Sequence, residues 1–410
     1  MVISITIAVM AVLLTIILLM KGVNLGIIML TNCVLIAIWS KMSFVNMAAS
    51  LKSGIFSEKT LGILLILILV MMLEDIMRNT GMIKQIAENT KQIVKNNLLS
   101  SALLPVFLGL LPSPGGARFS CPMVEEILGK DAENTDKAFI NYWFRHVWRD
   151  GFILYPGAIL ASQLANIPTL LLFIYMLPFC ILHAALGFIL VYGKVKNTPH
   201  VHKKNNMEKI TGFAGGIFPI VIIIGLYIFM LGIKPISDYA LYLSSIFTVA
   251  ILVIYKKYSF RDFTKTLRRS IHMNSVILVL GVMIFMQFLT ASGLVDTWLR
   301  GISYYGIPKE ILFIILPFVA GALSGITVSF VSLSFPILII MGLDQNIWFF
   351  VAAYIAGFSG VMVTPVHLCS AMSSDYFGIK TGKMLKKVIV AEAVMIIAAV
   401  VCLFMVGIYR

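Results

Sequence analysis

The chain is written twice, and that duplication constrains its fold more than any other feature. Gly81, Leu104-Pro105, Gly109 and Leu111 recur as Gly293, Leu316-Pro317, Gly321 and Leu323 at one common offset. Ser120 and Pro122 recur as Ser334 and Pro336, and Gly151 and Pro156 recur at the same mutual spacing as Gly360 and Pro365. Upstream, Ser43-Phe44 and Leu51 recur as Ser259-Phe260 and Leu267. Matched leucines mean little in an apolar chain, but matched Gly and Pro mark backbone features that both halves must share. The chain is indeed apolar: 60% of its 410 residues are hydrophobic and 12% charged, roughly half the charge of a soluble domain. A duplicated membrane protein with Gly/Pro interruptions at equivalent places has the pattern of a secondary transporter.

Apolar runs long enough to cross a bilayer predict spans at residues 2–20, 23–40, 60–77, 137–164 and 168–193. The second half predicts 213–232, 238–255, 273–291, 346–378 and 384–408. The first run has no basic leader and no small-residue cleavage site before Lys21, so it is expected to be retained. Residues 80–97 and 293–307 read as amphipathic helices lying along the interface. Each is followed by two runs too short to span, 98–111 with 117–129 and 308–323 with 328–342, which read as re-entrant hairpins. The expected fold is an all-α membrane protein of about ten transmembrane helices, an inverted repeat of five plus one hairpin in each half. Residues 1–193 form the first repeat (scaffold 1–97, transport unit 98–193), and 194–212 form a cytoplasmic linker. Residues 213–410 form the second repeat (scaffold 213–307, transport unit 308–408).

The net charge of +14 sits in loops rather than on a nucleic-acid-binding face, so no nucleic acid partner is expected. Lys194, Lys196, Lys203, Lys204 and Lys209 crowd the linker, and Lys256, Lys257, Arg261, Lys265, Arg268 and Arg269 crowd a loop two spans later. The positive-inside rule makes both cytoplasmic. Both termini then lie outside, and an odd number of spans per half sets the halves in opposite senses. Residues 41–59, read as a loop, fit this scheme worst. Trp39 and Trp143 fall near predicted helix ends and are candidate headgroup anchors. The expected location is the plasma membrane, multi-pass. A surface rich in Leu, Ile and Phe is compatible with a homodimer.

Four interruptions could expose helix ends to a solute: residues 112–116, 324–327, 150–156 and 360–365. Broken helices present N–H groups to anions and carbonyls to cations. The substrate candidates are Ser113, Pro114, Gly115, Gly116, Arg118, Ser324, Gly325, Thr327, Ser329, Thr364, Pro365 and His367. The ion-coupling candidates are Asp150, Gly151, Ser359 and Gly360. Arg118 could be a fixed charge for an anion, since a charge at membrane depth costs about 2.5–3.5 kcal/mol and needs a cavity or a partner. It could equally brace Glu125 or Glu126. The hydroxyls could simply bond their own helices, the Gly and Pro residues could only kink them, and Arg149 could neutralise Asp150. His183 is expected to pack with a hydrogen bond. The five cysteines have no metal-ligand spacing and are expected to pack. No catalytic residue, metal or cofactor is expected, apart from coupling by H⁺ or Na⁺.

Gly109-Leu-Leu-Pro-Ser-Pro-Gly-Gly-Ala-Arg-Phe-Ser-Cys-Pro-Met-Val-Glu-Glu126, with Gly360-Val-Met-Val-Thr-Pro-Val-His-Leu-Cys369, resembles a family of uncharacterised ten-helix membrane proteins. That family is grouped in the ion transporter superfamily with dicarboxylate, citrate, gluconate, arsenite and sodium/proton carriers. The resemblance covers nearly the whole chain. It implies the inverted-repeat fold with two hairpins and elevator-type alternating access. The Ser-Asn-Thr signature of the dicarboxylate branch is absent from both tips. The expected function is ion-coupled secondary transport of a small anionic solute. The alternatives are a cation/proton antiporter on the same scaffold and, less favoured, a membrane-embedded enzyme. The chain has no Gly-x-Gly-x-x-Gly, Walker loop, His-Glu-x-x-His or Gly-x-Ser-x-Gly motif.

Overall fold

The computed structural model of the chain describes residues 14–15, 17–19, 21–94, 96–110, 116–149, 151–196, 206–304 and 308–408, and every regular element among them is helical. The first half supplies α1 (Leu25–Trp39), α2 (Phe44–Phe56), α3 (Glu58–Asn79), α4 (Met82–Ile93), α5 (Asn97–Leu108), α6 (Gly116–Leu128), α7 (Asn134–Phe144), α8 (Pro156–Ala165) and α9 (Thr169–Val191). The second supplies α10 (Asn206–Leu231), α11 (Ala240–Tyr255), α12 (Phe260–Ser270), α13 (Met273–Ser292), α14 (Leu294–Tyr304), α15 (Lys309–Ser324), α16 (Thr327–Ile340), α17 (Ile347–Val363), α18 (Leu368–Tyr376) and α19 (Thr381–Ile408). The expected span 2–20 lies largely outside the described residues.

Among the described residues, seven helical stretches are long and apolar enough to cross a membrane: Phe44–Asn79, Thr169–Val191, Met207–Leu231, Ser237–Tyr255, Met273–Ser292, Ile347–Tyr376 and Thr381–Phe404. The chain is a multi-pass membrane protein. Two of the expected single spans are interrupted: 137–164 divides into α7 and α8, and 346–378 into α17 and α18. The segments read as loops around residues 41–59 and 256–269 instead hold α2 and α12. These helices are short and α12 is strongly charged, so neither carried the long apolar run used to find spans.

Residues matched in sequence take matched backbone roles. Ser43 and Ser259 cap the N-termini of α2 and α12, their side chains accepting from the N–H groups of Asn46 and Asp262. In the reverse direction Ser259 donates to Asp262, which holds that carboxyl below its ordinary value. Gly81 and Gly293 take the left-handed turns between α3 and α4 and between α13 and α14, with φ of 74° and 64°. Pro105 and Pro317 lie inside α5 and α15, and Pro122 and Pro336 inside α6 and α16.

Packing exchanges elements between the halves reciprocally. α1 and α2 pack on α13, while α11 and α12 pack on α3; α16 packs on α8, while α18 packs on α6. Lipid tails give apolar helices little reason to associate, so close backbone approach at small residues has to do it. At the α1–α13 crossing a Cβ on Gly26 would overlap the carbonyl of Ile277, and one on Gly281 would overlap that of Gly26. Trp143 is no headgroup anchor: it is fully buried, stacks on His183 at 3.9 Å and donates from Nε1 to the His183 carbonyl at 2.9 Å. The His183 ring in turn meets the Trp143 carbonyl through Nε2 at 3.3 Å, so it packs and bonds as expected.

Candidate functional site

A helix that stops in an apolar environment leaves its last carbonyls to be satisfied by something other than water. Side chains from other elements do this at three of the four interruptions. α5 ends at Leu108, and the Gly109 carbonyl accepts from the Tyr155 hydroxyl at 2.7 Å. α17 ends at Val363, and in its last turn the Met362 carbonyl accepts from the Tyr142 hydroxyl at 2.9 Å. α15 ends on Gly325, a left-handed cap with φ 63°, whose carbonyl meets His367 Nδ1 at 2.6 Å. Pro156 opens α8 at a position where a missing N–H costs nothing. Beside it, a Cβ on Gly157 would strike the methyl of Thr327 at the tip of the second hairpin. The two helix breaks and the ends of both hairpins are thereby gathered into one region.

At its centre two histidines from opposite halves meet. His146, just past the end of α7, places Nε2 3.0 Å from Nε2 of His367, the N-cap of α18. His146 Nδ1 lies 2.5 Å from the Tyr142 carbonyl. Cys369, in the first turn of α18, completes a buried trio whose ligand atoms all lie within 4.8 Å of one another. Arg145 is buried beside them in sequence, its guanidinium pressed against Gly116, where any Cβ would overlap it. That sets a cation at the first turn of α6, where the helix dipole is also positive, a field suited to an anion. Asn141 ties α7 to both halves of the chain, donating to the Ala117 carbonyl at 3.1 Å and to Ser373 Oγ at 2.8 Å. A cavity of about 80 Å³, lined by Pro156, Val328, Ser270 and His272 among others, lies where α8 and α16 face α3 and α13.

The expected site residues divide among several fates. Ser113, Pro114, Gly115 and Asp150 lie outside the described residues. Gly116, Gly325, Thr327 and His367 are drawn into the gathered region. Thr327 is buried with its Oγ1 lacking a hydrogen-bond partner among the described residues. Ser329 is buried in the first turn of α16, and Thr364 is the buried C-cap of α17, next to an exposed Pro365. Ser324 bonds back to its own helix at the Ala320 carbonyl, 2.7 Å away. Arg118 is exposed on α6, and the carboxylates it could alternatively have braced are held by lysines: Glu125 by Lys137 at 3.0 Å and Glu126 by Lys91. Gly151 turns with φ 127° against Met176. Gly360 is a packing residue inside α17, where a Cβ would overlap the Phe318 carbonyl of α15, and not part of the break.

Ser359 donates to Glu392 Oε2 at 2.7 Å, across the α17–α19 contact. Sequence reading missed Glu392, although it is the lone acid in the apolar run 388–408 and a buried carboxylate in a spanning helix is a functional candidate by cost alone. Cys369 was missed because metal-ligand spacing is a local test, and its partner His146 is 221 residues from His367. Nothing local marked Tyr142 or Asn141 either, whereas Tyr155 lies within the interruption 150–156.

No curated protein matches the chain. Residues 3–407 match the family described as "Protein of unknown function (DUF401)", and the protein belongs to that family.

Proposed function

We propose that the protein is an ion-coupled secondary transporter of a small anionic solute, working by elevator-type alternating access. The observation that carries this reading is the gathering of two broken helices and two hairpins, one of each from either half, around buried polar side chains. Irregular backbone at membrane depth is tolerated where it lines a protein-enclosed site, and it is how transporters build one. The Arg145 guanidinium beside the first turn of α6 supports an anionic solute. The Ser359–Glu392 contact supports a coupling cation or proton. Reciprocal packing of the halves supports a two-fold relation and, with an odd number of spans in each, an inverted repeat of about ten spans. Resemblance to the ion transporter superfamily points the same way.

In this reading α1–α4 and α10–α14 form the scaffold, and α5–α9 with α15–α19 the moving unit, in the plasma membrane with both termini outside. Purified protein in liposomes, under an imposed proton or sodium gradient, is expected to accumulate labelled solutes from a panel of small carboxylates and oxyanions. Arg145→Gln is expected to lose that uptake while keeping the fold. Vesicles that hold folded protein yet move no member of the panel under either gradient would sink the reading. So would thiol labelling that puts cysteines introduced at Lys203 and Lys265 on opposite sides of the membrane.

A further inference from the structure

We propose that His146, His367 and Cys369 form a binding site for a borderline-soft divalent metal cation of the zinc class. Hydrogen bonding fixes the two rings first. A carbonyl oxygen can only accept, so His146 Nδ1, 2.5 Å from the Tyr142 carbonyl, carries a proton. His367 Nδ1, 2.6 Å from the Gly325 carbonyl, does the same. In a neutral imidazole the other nitrogen is then an acceptor. The two Nε2 lone pairs therefore converge at 3.0 Å, and a positive centre is what lets them do so.

The donor set selects a metal. Ligating histidines characteristically give their second N–H to a backbone carbonyl, which locks tautomer and ring direction, and both rings here do so. With bonds of about 2.0–2.1 Å to nitrogen, one ion subtends the observed separation at an angle slightly above a right angle. Cys369 Sγ lies within 4.8 Å of both ring nitrogens, and a tetrahedral site needs the sulfur about 1 Å nearer. Two imidazoles and a thiolate favour zinc, copper, nickel or cobalt over the hard ions sodium, magnesium and calcium. All three side chains are buried. Three protein ligands leave one position open for an exogenous group. The ligands come from both halves, and the Gly325 carbonyl of the second hairpin stands behind His367. A bound ion would fasten the two breaks and that hairpin tip together. The assignment stands on side-chain geometry and does not depend on transport.

The test is titration of chelator-stripped, detergent-solubilised full-length protein with Co²⁺ and with Zn²⁺. Wild type is expected to bind one equivalent per chain, with a thiolate-to-cobalt charge-transfer band in the near ultraviolet. Cys369→Ser should lose the band and His146→Gln should weaken binding by at least about tenfold, each judged against thermal stability and monodispersity. Cys180→Ser, which alters a buried cysteine outside the trio, should leave both readouts unchanged. No stoichiometric uptake by wild type, or a cobalt spectrum unmoved by Cys369→Ser, would overturn the proposal. The former would leave the two rings sharing a proton instead.

Discussion

The Tyr142 hydroxyl donates to the Met362 carbonyl at 2.9 Å, joining the break in the first half to the break in the second. The N–H that would have served that carbonyl in a continuing helix belongs to Val366, which turns instead toward Thr364 Oγ1 at 3.4 Å. Both Tyr142 and the carbonyl are out of reach of water. Tyr142→Phe keeps the ring and strands the carbonyl, at a cost of about 1–3 kcal/mol. The expected outcome is a lowered thermal midpoint in detergent with no change in helix content. An unchanged midpoint would mean that the carbonyl has another donor.

Glycines of two kinds should respond differently. A Cβ at Gly26 overlaps backbone of α13, which cannot move aside as a flexible side chain can. Gly26→Ala is expected to separate α1 from α13 and to leave little monodisperse protein. Gly293 has open space around it but a φ of 64°. Gly293→Ala should cost only about 1–2 kcal/mol of backbone strain and still yield folded protein. Size-exclusion profiles of the two variants, expressed side by side, decide it; equal recovery would contradict the close packing at Gly26.

What the sequence disclosed followed from the range over which each signal acts. Gly and Pro report backbone geometry at their own positions. The turns at Gly81 and Gly293, the prolines of α5, α6, α15 and α16, and the interruptions before Pro156 and Pro365 were therefore legible. Composition likewise disclosed the membrane. Contacts made across the duplication have no local signature. Nothing near His146 announces His367, and nothing near Tyr142 announces Met362. Gly360 was misread for the same reason: a glycine needed for helix packing and one needed at a break look alike until the neighbouring helix is in place. Arg118 drew the functional reading because it lies in the hairpin motif, whereas Arg145 is a cation that folding buries.

Glu392 should matter through its charge more than its packing. It is buried in α19 and accepts from Ser359 at 2.7 Å. Glu392→Gln preserves shape and hydrogen bonding but removes the site's capacity to exchange a proton or hold a cation. If this carboxylate couples ion to solute, the variant should still exchange labelled solute across liposomes at equilibrium. Its uphill accumulation under a gradient should fall to background, and Ser359→Ala should retain part of it. Full gradient-driven accumulation by Glu392→Gln would remove Glu392 from the coupling step.

Lys59 offers the sharpest test of relative motion. From the start of α3 its ammonium donates to the Leu164 carbonyl at 2.9 Å and to Asn166 Oδ1 at 3.0 Å. Those acceptors are the last turn and the left-handed C-cap of α8, where the helix dipole favours a cation. The contact runs from the proposed scaffold to the proposed moving unit. An elevator stroke displaces the α8 end from Lys59, so the contact can exist on only one side of the cycle. Replacing Lys59 and Asn166 with cysteines and bridging them with a short reducible bis-thiol reagent should hold the protein in this state. Turnover is expected to fall to background on cross-linking, with solute binding kept, and to return on reduction. Lys59→Met alone should shift the balance away from this state, changing rate without abolishing transport. Undiminished turnover in the fully cross-linked protein would mean that α3 and α8 travel together, and the division into scaffold and moving unit would have to be redrawn.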